Sequence, residues 1–218
     1  MLALAAAVKM YPALLLVAFL NRGDRIKGIV TFSATMILLY LPFLGAGSKI
    51  SGFLPVYLKN PYESFNLGLK YFLMRLIPGL DYFLLSLLFI IALVIAGIIV
   101  FLKDKKNAEV VKYAYILTGL LMILMPASLH PWYVILIIPY LVIYPNPAWL
   151  IFTCTVTLSY LKYTSPQGIM PTWILLAEYL PLFALLAAGY ILRKYISPSR
   201  MSGMNFSRKK GKMAEVQK

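Results

Sequence analysis

Three groups of side chains in this chain of 218 residues are of a type that does chemistry, and each lies beside a proline. The first is Lys9, in Val8-Lys9-Met10-Tyr11-Pro12, inside an otherwise apolar run. Pro12 has no backbone N–H to donate and loosens the turn before it, which leaves room near Lys9 for an irregular backbone or a ligand. An ammonium at that depth suits a phosphate; it also fits a lysine that snorkels to the head groups and needs no ligand. The second group is Ser128-Leu129-His130-Pro131-Trp132-Tyr133, where the only histidine of the chain stands beside two aromatic rings. Histidine binds or neutralises phosphate, and aromatic faces suit the C–H faces of sugars. The plainer account is a hydrogen-bonded histidine within an interfacial aromatic belt. The third is the segment Gly47–Asp81, with Lys59-Asn60-Pro61-Tyr62-Glu63-Ser64-Phe65-Asn66 at its centre. It is too polar to span a membrane and too apolar for a free loop. Its flanks have the character of helices lying in an interface, suited to roofing a cavity or merely to wetting the membrane.

The elements that must hold these groups are membrane spans. Hydrophobic residues make up 61% of the chain and charged residues 13%, whereas a soluble domain carries roughly a quarter charged residues. About 20 apolar residues are needed to cross the hydrocarbon. Seven stretches qualify, near 2–20, 28–45, 82–102, 110–125, 133–144, 148–161 and 172–192. The fifth and sixth are short and are divided only by Pro145-Asn146-Pro147, so the credible count runs from six to eight. The runs are continuous rather than alternating, which speaks against a barrel. The fold class expected is therefore all-α, a polytopic helical membrane protein of about seven spans plus outer interfacial helices. It divides into a transmembrane domain over 1–196 and a basic, disordered tail over 197–218.

Charge sets the expected direction. With the Asn21–Lys27 turn in the cytoplasm, fifteen Lys and Arg residues fall on the cytoplasmic side and five on the other, with Lys9 inside the first span. That asymmetry predicts a multi-pass protein of the cell membrane with its N-terminus outside and its C-terminus inside. The same sorting leaves Glu63, Asp81 and Glu178 as the acids of the outer half. The net charge of +14 is read as attraction to anionic lipid rather than to nucleic acid.

Other chemistries drop out. One cysteine and one histidine cannot build a disulfide or a zinc site of the usual kind. There is no phosphate-cradling glycine loop, no HExxH and no nucleophile elbow. Leu2–Leu20 lacks the basic n-region of a signal peptide and reads as an internal helix of a longer protein. Prolines within the expected spans (Pro12, Pro42, Pro139 and Pro181) also suit a transporter, although no inverted repeat is visible.

Taken together, the chain resembles the later half of a GT-C glycosyltransferase, nearest to glycosyltransferase family 87 and related mannosyltransferase-like proteins. Three stretches carry the resemblance: Lys9-Met10-Tyr11-Pro12 with the basic turn Asn21–Arg25, Phe65-Asn66 within Tyr62–Tyr71, and His130-Pro131-Trp132-Tyr133 leading to Ile138-Pro139. The resemblance implies transfer of a hexose, mannose first, from a polyprenyl-phosphate carrier to a lipid, glycan or protein acceptor on the extracytoplasmic face. It implies that Lys9 and His130 face the donor phosphate, with Tyr11, Asn66, Trp132 and Tyr133 around the sugar or lipid. No cofactor is required by it, although a divalent Mg or Mn ion is compatible. The acid-bearing first outer loop of the family has no counterpart here. Glu63 and Asp81 are the only outer-loop acids available for catalysis, and the chain is expected to work with a separate or missing N-terminal half. Two alternatives stand beside this reading: a flippase or transporter of lipid-linked sugars, and a non-catalytic subunit of a membrane complex.

Overall fold

Tyr82–Leu102 shows why the chain folds as it does. Its 21 residues contain no charge and one polar side chain, Ser86. Asp81 starts the helix by accepting a hydrogen bond from the Leu84 N–H at 2.6 Å, an N-cap that satisfies one of the orphan donors of the first turn. At roughly 1.5 Å per residue the helix is about 30 Å long, the thickness of the hydrocarbon. Leu85, Phe89, Leu93, Gly97 and Val100 form its buried stripe, while Phe83, Leu87, Ile91, Ile95 and Ile99 on the other faces stay exposed. Large aliphatic groups facing outward at this density belong in lipid rather than water.

The computed structural model describes residues 1–52, 65–125, 128–164 and 170–195. Among the described residues the chain is helical, with no strand. The α-helices are α1 (Leu2–Val8), α2 (Leu16–Phe19), α3 (Arg25–Tyr40), α4 (Leu69–Leu76), α5 (Tyr82–Leu102), α6 (Asn107–Ile123), α7 (Ile138–Ile143), α8 (Pro147–Thr155) and α9 (Thr172–Tyr195). Turns of 3-10 helix occupy Tyr11–Leu15, Leu41–Ser51, Pro131–Leu136 and Val156–Thr164.

Among the described residues three helices are long and apolar enough to cross a membrane: Arg25–Ile50, Tyr82–Leu102 and Thr172–Leu192. The other expected spans take shorter or broken forms. The first breaks at Lys9, whose backbone is extended (φ −145°, ψ 134°) between α1 and the Tyr11–Leu15 turn. Pro12 explains the break, because the Val8 carbonyl loses its usual donor four residues on. The 133–144 stretch is likewise divided between a 3-10 turn and the six-residue α7, and the 148–161 stretch passes from α8 into a 3-10 turn. Asn146 caps α8 by accepting from the Ala148 N–H at 2.9 Å. Within the expected outer segment 47–81, α4 is helical, whereas 53–64 and the basic tail lie outside the described residues.

The main core joins α6, the His130 turn, α8 and α9 through Met122, Leu129, Ile137, Trp149, Phe152, Ile174 and Tyr179. Gly119 permits the close approach of α6 and α8, since a Cβ there would stand 2.9 Å from Trp149 Cζ2. A second knot of polar bonds ties the far end of α5. Lys105 Nζ donates to the carbonyls of Val17 at 2.8 Å and Val100 at 3.1 Å, and Arg25 donates to the carbonyl of Phe101. Arg22 pairs with Asp104 at 3.1 Å. Cations at a helix C-terminus satisfy orphan carbonyls and oppose the negative end of the helix dipole.

Candidate active site at the Lys9 break and the His130 turn

The site is assembled by two irregular pieces of backbone. One is the extended residue Lys9, twelve residues before Asn21, whose side chain accepts a hydrogen bond from the Lys105 N–H at the basic end of the bundle. Between them lie the Tyr11–Leu15 turn and α2, so Lys9 stands at the other end of this first segment from Asn21. The other is the Pro131–Leu136 turn, entered through His130 in an extended conformation.

Both pieces converge on Tyr133. Lys9 Nζ lies 4.8 Å from the centre of the Tyr133 ring, within the range of a cation–π contact. Tyr11 meets the same ring edge-on at 5.3 Å, and the His130 ring is 5.9 Å away. Tyr133 itself is buried, whereas Lys9 is exposed and Trp132 half-exposed at 49%. The structure thus brings together Lys9, Tyr11, His130, Trp132 and Tyr133 from two segments separated by more than a hundred residues.

His130 is the centre of a three-ring stack. Trp132 is parallel to it within 6° at 4.3 Å, and Phe65 stacks on it at 4.7 Å and 19°. Tyr160 and Tyr163 extend the aromatic group around Phe65, with Lys162 Nζ 5.7 Å from the Phe65 ring. Burial lowers the Lys162 pKa. A charged partner of His130 is therefore confined to the edge of the imidazole, where its two nitrogens lie.

Asn66 sits one residue behind the stack and is buried. Its Nδ2 donates to Glu178 Oε2 at 2.6 Å, its Oδ1 accepts from the Gly68 N–H at 2.9 Å, and its carbonyl accepts from the Leu129 N–H at 2.9 Å. Phe65 N–H completes the junction by donating to Ser128 Oγ at 3.1 Å. Asp81 is exposed and occupied in capping α5; Glu63 lies outside the described residues. Among the described residues no three His, Cys, Asp or Glu side chains gather to hold a metal.

Glu178 and Phe65 were not singled out for the site by residue type. A signal for Glu178 existed: a carboxylate inside the apolar Thr172–Leu192 run is costly and asks for a partner. Phe65 is marked only by the Phe65-Asn66 element of the family resemblance, since residue type alone does not distinguish one phenylalanine among twelve.

The model of glycosyltransferase family 87 matches residues 1–127, more than half of the chain. The chain belongs to glycosyltransferase family 87. It is accordingly a membrane glycosyltransferase, with a sugar donor and an acceptor as its partners. No curated protein and no solved structure gives a significant match. The family 87 match covers Lys9, Tyr11, Phe65, Asn66 and Asp81, while the His130 turn and Glu178 lie beyond it.

Proposed function

We propose that this family 87 protein transfers a hexose, with mannose the first to test, from a polyprenyl-phosphate carrier to an acceptor on the extracytoplasmic face. The observation that carries the reading is the convergence of Lys9 and His130 on the Tyr133 ring. A glycosidic bond to a lipid phosphate breaks with negative charge growing on the leaving oxygen. An ammonium and an imidazole at membrane depth stabilise that charge more than they would in water, because the surrounding dielectric is low and the groups are already oriented. The half-exposed Trp132 and the partly buried Tyr11 offer apolar faces to the isoprenoid or the sugar. In this reading the protein is multi-pass with its N-terminus outside, as the fifteen-to-five distribution of Lys and Arg supports.

An inverting transfer also needs a carboxylate to take the proton of the acceptor hydroxyl. Asp81 is committed to the N-cap of α5, so Glu63 is the acid to mutate first. The test is transfer from labelled polyprenyl-phosphate mannose in membranes that carry the protein. Lys9→Ala and His130→Ala are each expected to lower the rate by about a hundredfold, the scale of losing one charge-stabilising donor, with membrane insertion intact. Near-normal rates in both variants refute the phosphate role. Direct use of a nucleotide sugar refutes the carrier, and passage of the labelled lipid without transfer selects a flippase.

A further inference from the structure

We infer that Glu178 is a positioning residue which, through Asn66, holds Phe65 against His130 and so fixes the imidazole in the site. Glu178 is fully buried in α9 and contributes to none of the contacts around Tyr133. Its Oε2 takes the Asn66 amide at 2.6 Å, and Oε1 has no hydrogen bond of normal geometry among the described residues. A carboxylate buried in an apolar helix, with the Asn66 amide as its side-chain partner and the Ser159 backbone N–H as a weaker one, is costly. That cost is sustained where the Asn66 bond does something a hydrocarbon side chain cannot do.

What the bond does is legible in the geometry. Asn66 has no second donor of comparable reach, and its other polar atoms tie Gly68 and Leu129. The Glu178 bond therefore anchors the whole strip from Phe65 to Gly68 to α9, with Leu129 and Ser128 stitched to the same strip. Phe65 and His130 are the immediate neighbours of Asn66 and Leu129 in the chain, and their rings stack at 4.7 Å. Gly68 shows how tight the seating is: its φ is +54°, and an added Cβ would meet the Tyr179 hydroxyl at 2.6 Å. Remove the carboxylate, and the strip loses its only side-chain bond to α9 among those described. Phe65 is then free to lift from one face of the imidazole. The importance of that imidazole rests on the donor-phosphate role proposed above; the coupling of Glu178 to His130 does not.

The experiment uses the fact that His130 is the only histidine of the chain. Diethyl pyrocarbonate modifies imidazole nitrogen, and the absorbance of the carbethoxylated product gives the rate for His130 alone in the detergent-solubilised chain. Asn66→Asp places two acceptors face to face and should raise that rate at least about threefold. Adding Glu178→Gln to it restores a donor–acceptor pair of reversed polarity and should return the rate to near the wild-type value. In the transfer assay the same swap should recover the donor KM lost in Asn66→Asp, a recovery that a generally loosened core would not give. An unchanged rate in Asn66→Asp overturns the inference, as does a raised rate that the swap fails to lower. Should Asn66→Asp alone fail to fold, recovery of folded protein by the swap supports the pairing and its absence overturns it. A protected histidine that follows these rules in a protein with no polyprenyl-phosphate activity would refute the donor reading while leaving the coupling intact.

Discussion

Lys9 and His130 meet the same ring: Nζ of one is 4.8 Å from the centre of Tyr133, and the imidazole of the other is 5.9 Å from it. A break in the first helix and a proline turn more than a hundred residues later are thus joined by one buried aromatic side chain. If that ring holds the ammonium in place, its π face matters more than its hydroxyl. Tyr133→Phe should keep the donor KM within about threefold of wild type, whereas Tyr133→Leu should raise it about tenfold, the scale of a desolvated cation–π contact. Steady-state transfer with varied donor concentration decides between them, and equal effects from both substitutions would show that the face is not what counts.

Gly68 offers a test of how α9 is approached. Its φ of +54° is a region that L side chains avoid, and Tyr179 Oη stands 2.6 Å from the position of a Cβ. Gly68→Ala therefore combines backbone strain with a clash and should lower thermal stability by about 2–4 kcal/mol. Tyr179→Phe removes the clashing oxygen and leaves the strain. In the Gly68→Ala background it should recover part of the loss, as read from the melting temperatures of the four proteins in one detergent.

The sequence made some of this visible and hid the rest for identifiable reasons. Tyr82–Leu102 was found to the residue, because an uncharged run bounded by Asp81 and Lys103 has only one folding solution in lipid. Pro12 beside Lys9 predicted an irregular turn, and the extended backbone at Lys9 is that irregularity. Hydropathy alone could not say that the 133–144 run would divide between a 3-10 turn and a six-residue helix, since both bury the same side chains. Nor could it pair Asn66 with Glu178, 112 positions apart. Such a contact depends on which helix packs behind α4 and the His130 turn, and one sequence without its relatives holds no record of that.

Lys70 predicts a dependence of stability on pH. It is buried beneath α4, with Nζ 4.1 Å from the centre of the Tyr82 ring and 3.3 Å from Ser86 Oγ. Burial lowers its pKa from 10.5 to about 7. Between those two values the unfolded chain binds a proton that the folded chain does not, so stability rises with pH across that window and is lowest below about pH 7. Lys70→Met removes the group that titrates. It should therefore stabilise the protein most at pH values below the folded pKa, and the gain should shrink steadily as pH approaches 10. Melting curves at a series of pH values test this, and a gain of equal size throughout would mean that Lys70 stays charged in the fold.

The basic end of the bundle should behave in the opposite way to the site. Lys105 is buried, its pKa is lowered by burial and by the neighbouring Arg25, and it still donates to two carbonyls, those of Val17 and Val100. Val100 lies near the end of α5 and Val17 in α2, so one ammonium holds α2 against the uncharged helix α5. Lys105→Met keeps the length of the side chain and removes the donors, leaving two acceptors without their charge-assisted partner. The expected loss is about 2–4 kcal/mol of stability. Lys105→Arg keeps a cation in place and should lose less. Because these bonds lie at the far end of the first segment from Lys9, transfer per folded molecule should change little in either variant. The check is to measure the melting temperature by tryptophan fluorescence and the transfer rate on the same preparations. A stable Lys105→Met protein with a collapsed transfer rate would mean instead that the two ends of the bundle are coupled.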